Sequence, residues 1–263
     1  MNETVGSSHV LKPIQIEICV DCFESIQEAY IGGADRIELC SSLKEGGLTP
    51  SFGFLRLAKQ KFPNLQVYPM IRSRGGDFCY SSEELEIMAQ DIECFKALGA
   101  DGFVFGCLKS DRSLDLEANR NLLKIASPLP CTFHRAFDLT KNFRKSLEDC
   151  IELGFKRILT SGHCKRAIDG LDQILEMINI ANNRIIIMPG AGITVDNISK
   201  IVGTKKIQEF HCSASRTRLS EMQTNEFNRI TMSSNSDELQ WKIADQIKIK
   251  QMRLIANQNL EYE

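Results

Sequence analysis

Short runs rich in β-branched and aromatic residues recur along this chain, each followed by a polar turn and a stretch of helical periodicity. The runs are QIEICV (15–20), RIELC (36–40), VYPMIR (67–72), GFVFGC (102–107), CTFHRA (131–136), RILTSG (157–162), RIIIMPG (184–190) and EFHCSA (209–214). The clearest helix is SSEELEIMAQDIECFKALG (81–99). Ser81 caps it, acidic residues fill its first turn, and Gly99 ends it. Leu85, Met88, Ile92, Phe95 and Leu98 make one apolar stripe. FRKSLEDCIELG (143–154) also closes on glycine, and the junctions GGADRIEL, LGADGFVF and LGFKRILT share one shape, a glycine-ended helix running into an apolar strand. Eight such β–α units predict an α/β fold, a (β/α)8 TIM barrel forming a single domain over residues 14–258. The alternative, a doubly wound sheet, commonly holds fewer strands. Residues 1–13 read as a flexible N-terminal tail, 220–238 as a long polar loop, and ELQWKIADQIKIKQMRLIAN (238–257) as the last helix, carrying the only tryptophan.

Alternation within the strands assigns their faces. In the first, Ile16, Ile18 and Val20 turn toward the helices, which leaves Glu17 and Cys19 inside the barrel. The second repeats the arrangement, with Ile37 and Leu39 outward and Arg36, Glu38 and Cys40 inward. In the third, Val67 and Ile71 face out and Met70 and Arg72 face in. In the eighth, Phe210, Cys212 and Ala214 face out, and Glu209, His211 and Ser213 face in. Strands five to seven show too little contrast for this test. Closure makes strands eight, one and two neighbours, so Glu17, Glu38 and Glu209 form a carboxylate group below Cys19, Cys40, His211 and Ser213. Unpaired buried carboxylates are costly, so interior cations such as Arg36, Arg72 and Arg135 are the expected partners. The branched apolar filling usual in barrels is missing here, which points to function rather than packing.

Charge and composition narrow the function classes. A net charge of −2 gives no general attraction to nucleic acid or to an anionic membrane surface. No run of about 18 apolar residues is present, so no membrane span is expected. The N-terminus lacks the basic-then-apolar pattern of a signal peptide. Ten cysteines are dispersed through periodic apolar segments, unlike a disulfide scaffold, and read as reduced thiols of an intracellular protein.

Several constellations at the strand ends carry chemistry. Two inward cysteines on adjacent strands, Cys19 and Cys40, suit a soft metal such as Cu(I) or zinc, or else are two thiols packed like alanines. CVDC (19–22) is formally a C-x-x-C pair, although Cys22 is more simply a first-turn helix residue. HRAFD (134–138) supplies His134 as a general acid/base, Arg135 as an anion holder and the Asp138 carboxylate; alternatively His134 pairs with a buried glutamate. RSRGGD (72–77) sets Arg72 and Arg74 at the mouth as a carboxylate or phosphate clamp. PGAGIT (189–194) places Gly190 and Gly192 where backbone N–H groups meet phosphate in many barrels, although a tight turn alone also needs them. His211, Ser213 and the segment Ser215–Arg218 add anion-binding groups after the eighth strand.

GGADRIELCSSLKEGGLTPS, PMIRSRGGDFCYS, GADGFVFGCL, TFHRAFD, ILTSG, IMPGAGIT and EFHCSA, in that order and spacing, resemble the CutC copper homeostasis family over about residues 14–218. The resemblance implies a cytoplasmic (β/α)8 barrel, with the nucleus as a second compartment. It implies a homo-oligomer, dimer or tetramer, concerned with copper and without established catalytic activity. In copper-binding animal members the cysteines ending the first two strands are the proposed Cu(I) ligands, and those positions match Cys19 and Cys40. The barrel mouth also resembles an enzyme pocket. An enzyme acting on a small anionic or phosphorylated metabolite is therefore the alternative, with Arg72, Arg135 and the PGAG turn binding it and His134, Asp138 or Glu17 moving protons.

Overall fold

A computed structural model of the chain describes residues 13–222 and 238–258. Eight parallel strands alternate with helices: β1 (Gln15–Val20), α1 (Phe23–Gly32), β2 (Arg36–Leu39), α2 (Phe52–Lys61), β3 (Gln66–Pro69), α3 (Ser82–Ala97), β4 (Phe103–Phe105), α4 (Leu116–Ala126), β5 (Cys131–Phe133), α5 (Phe143–Leu153), β6 (Arg157–Thr160), α6 (Leu171–Ala181), β7 (Ile186–Pro189), α7 (Ile198–Val202) and β8 (Glu209–Cys212). They form two parallel arcs, β3-β2-β1-β8 and β4-β5-β6-β7. A parallel bridge between Met70 and Val104 joins the arcs on one side, and β7 lies against β8 on the other. The result is the (β/α)8 barrel that the repeat predicts.

The first strand fills its apolar run, and each of the others is one to three residues shorter, mainly because the C-terminal residues peel away into mouth loops. After β5, for example, Arg135–Leu139 coil into a short 3-10 turn. The predicted faces hold. Ile16, Ile18, Val20, Ile37, Leu39, Val67, Ile71 and Phe210 are buried in the apolar layer between barrel and helices, and Glu17, Arg36, Glu38, Glu209 and His211 are buried inside. Helix α3 starts on a reciprocal capping box between Ser81 and Glu84, and buries Met88, Ile92 and Phe95.

The last predicted helix needs correcting. Its first part is a strand, β10 (Gln240–Ala244), paired antiparallel with β9 (Ser215–Leu219), and helix α8 spans only Gln246–Gln258. Asp245 breaks the segment: its carboxylate accepts from the amides of Ile247 and Lys248, a helix N-cap. The preceding Trp241–Ile243 is free to pair as a strand. The tail predicted for 1–13, apart from Pro13, and most of the predicted 220–238 loop lie outside the described residues.

Candidate metal and anion site at the barrel mouth

An ionic layer forms the floor of the site. Arg36 donates through Nε to Glu17 and through Nη2 to Glu209 at 2.5 Å, and Arg157 Nε donates to the same Glu209 oxygen at 2.9 Å. Both guanidinium groups lie against the Tyr68 ring, at 4.9 and 5.3 Å from its centroid. Burial alone would raise the Glu17 carboxyl, but Arg36, His211 and Arg157 outweigh it and hold the group below the ordinary carboxylate range. Arg36 is the partner expected for these carboxylates; Arg72 and Arg135 are not. Arg157 takes their place, a residue the alternation left unassigned because β6 lacks polar–apolar contrast.

Above this floor, barrel stagger decides which groups meet. Glu17 pairs in register with Arg36 on one side and His211 on the other, and Cys19 pairs with Glu38. One ligand atom each from Cys19, Glu38 and His211 therefore falls within a 4.8 Å cluster, with His211 Nε2 at 2.9 Å from Glu38 Oε2. Burial disfavours a charged His211, yet the Glu38 carboxylate and Cys19 overcome it and push the imidazole well above its ordinary pKa. Cys40 lies two residues beyond the register partner of Cys19, about 6–7 Å further along the strand direction. It is fully buried in a small cluster with Tyr68, Met70 and Val104. Burial first, then the charges of Glu38 and Cys19, raise its thiol pKa well above normal. Gly47 packs over it: φ is +90°, and a Cβ there would sit 3.0 Å from Cys40 Sγ.

Cys19, Glu38 and His211 open into a cavity of about 890 Å³ at the C-terminal ends of the strands, where barrel sites form, and Cys40 is not among its lining residues. Cys19, Glu38 and His211 line one wall, Arg72, Phe78 and His134 line another, and Trp241 of β10 borders the entrance. Arg135, Gly192 and Ser213 also reach it. Gly190 packs beside His211, and its amide is spent on Thr160. Arg74 is not among the lining residues; it pairs with Asp77 and Glu84 at the start of α3. Asp138 is fully engaged, accepting from Thr160 and Ser161 hydroxyls, the amides of Ser161 and His163, and Arg135. It holds the β6 end in place, and Arg135 spends its charge there. His134 does not meet a glutamate. Its Nδ1 accepts the Ala136 amide at 3.3 Å, and burial followed by the Arg72 charge lowers its pKa to about 3. Sequence reasoning missed Phe78 and Trp241: nothing in a loop aromatic marks it as cavity-lining before the fold is known.

The fold is a parallel β/α barrel whose mouth joins a thiol, an imidazole and a carboxylate above a charged interior. Residues 14–216 match the family model described as the CutC family, and this chain belongs to that family. It is 46% identical over 252 residues to the human copper homeostasis protein cutC homolog, covering 95% of this chain and 92% of that one. It is also 46% identical over 211 residues to a family protein CutC of Aliivibrio fischeri, covering 80% and 85%. A crystal structure of a CutC protein from Streptococcus agalactiae superposes with a TM-score of 0.73 at 35% identity, covering 76% of this chain and 98% of that one.

Proposed function

We propose that this protein serves copper homeostasis, taking Cu(I) as cargo at the barrel mouth through cysteine thiolates. The observation that carries the reading is the Cys19–His211–Glu38 cluster facing an open cavity. The donor set fits a soft ion: Cys19 Sγ is a suitable ligand, His211 becomes one when the cation displaces its second ring proton, and the adjoining cluster adds two more sulfurs, Cys40 and Met70. Cys40 is the second thiolate of the reading, and a bound cation offsets the burial that otherwise keeps it protonated. The Glu38 oxygen is harder and serves best as the charged partner of His211. The naming of the relatives as copper homeostasis proteins supports the same cargo.

Ten free cysteines support a reducing, cytoplasmic setting. Exposed Tyr30, Ile31, Phe52 and Leu57 on α1 and α2 support self-association into a homo-oligomer.

The test is metal analysis of protein purified anaerobically with Cu(I) supplied. The parent is expected to retain Cu(I) stoichiometrically, Cys19→Ser to lose it, and Cys40→Ser to weaken it. Unchanged retention by the folded double variant Cys19→Ser/Cys40→Ser would sink the reading.

A further inference from the structure

The wall of the cavity formed by β3 and β5 carries an unneutralised cation. The Arg72 guanidinium is buried, and among the described residues no carboxylate lies within 4 Å of it. Among the described residues its hydrogen bonds go to backbone carbonyls, Nη1 to Glu45 at 2.7 Å and Gly47 at 3.2 Å and Nη2 to Gly76 at 2.8 Å, and the uncharged Tyr80 hydroxyl is the side-chain group that interacts with it. Arg72 Nε is buried without a hydrogen-bond partner among the described residues. His134, 3% exposed, presents a second orphan on the same wall. Because Nδ1 accepts the Ala136 amide, the neutral imidazole carries its proton on Nε2, and that N–H has no acceptor among the described residues. Two buried donors, one of them cationic, are thus left without the acceptor that buried donors ordinarily find.

One side chain covers both. The Phe78 ring centroid lies 4.8 Å from Arg72 Cζ and 4.7 Å from the His134 ring, and Phe78 is itself only half-buried. The Asp138 carboxylate is committed to β6 and does not reach Arg72. The floor glutamates are answered by Arg36, Arg157 and His211. Among the described residues no carboxylate serves this wall.

We propose that Arg72 and His134 form a binding site for the carboxylate or phosphate group of a small metabolite, separate from the thiol cluster, which the Phe78 ring uncovers by turning aside. Arg72 supplies the charge and Nε, His134 Nε2–H donates to a ligand oxygen, and the cavity holds the rest of the molecule. The site does not depend on copper.

The test uses the full chain, with chelator present and no metal added. Binding of inorganic phosphate and of glycolate is measured by calorimetry and thermal shift at constant ionic strength, with chloride as control. Phosphate or glycolate is expected to bind and raise the melting temperature where chloride does not, and the stronger of the two names the headgroup. His134→Asn keeps an acceptor for the Ala136 amide but removes the Nε2 donor, and is expected to weaken binding about tenfold, since a hydrogen bond to a charged group is lost. His134→Gln, which returns an N–H near that point, is expected to recover most of it. Phe78→Ala is expected to tighten binding several-fold. Arg72→Met removes three loop contacts and is avoided. If neither anion outperforms chloride, or if His134→Asn and Phe78→Ala bind as the parent does, the site does not exist. Metal retention is measured separately, so this result leaves the copper reading untouched.

Discussion

At the scale of the residue, two histidines that look alike in sequence meet opposite fates. His211 faces carboxylates and is held charged, whereas His134 sits between Phe78, Phe133 and the Arg72 cation and is held neutral. The second state has a consequence for acid stability. An unfolded histidine binds a proton near pH 6.5, while folded His134 does so only near 3. Below pH 6.5 the unfolded chain therefore gains a proton the folded one refuses. Stability contributed by neutral His134 is complete above pH 6.5 and is lost as pH falls toward 3, by up to about 1.4 kcal/mol per pH unit. Urea unfolding of parent and His134→Gln between pH 7 and 4.5 is expected to show a shallower decline in the variant. Parallel declines would mean that His134 does not carry the effect.

At the scale of the element, alternation revealed faces but not heights. The fragments IEIC and IELC each set a glutamate two residues before a cysteine, and both pairs do point inward. Their equivalence ends there, because barrel stagger matches Cys19 with Glu38 rather than with Cys40. Stagger is a property of closure around all eight strands, so no single strand encodes it. Local signals were legible where the physics is local. The Ser81–Glu84 capping box is one such signal, and Ser81→Ala is expected to cost about 1 kcal/mol in chemical denaturation without altering metal retention. The misreading of Trp241–Ala244 as helix has a local cause too: its residues suit either state, and pairing with β9 decides.

At the scale of the whole molecule, the barrel is filled by an ion network where apolar layers are usual, and the network is closed by its own arithmetic of charge. Glu17, Glu38 and Glu209 meet Arg36, Arg157 and protonated His211. Glu209 is the hinge of this balance, since it alone accepts from both arginines. Glu209→Gln leaves Arg36 with Glu17 and strands the buried Arg157 guanidinium without its carboxylate, and breaking a buried pair in this way is expected to cost about 3–5 kcal/mol. Removing charge from both sides tests whether the loss is electrostatic. In Glu209→Leu/Arg157→Met, Arg36 keeps Glu17 and no new cation is stranded, so about half of that loss or more is expected to return. Denaturant midpoints of the three proteins measure this directly. A double variant no more stable than Glu209→Gln would show that shape, not charge, sets the interior. The network touches His211 through Glu17, which Arg36 holds and which lies 3.9 Å from His211 Nε2, so on the proposed reading Cu(I) retention is expected to fall in Glu209→Gln even where the protein remains folded.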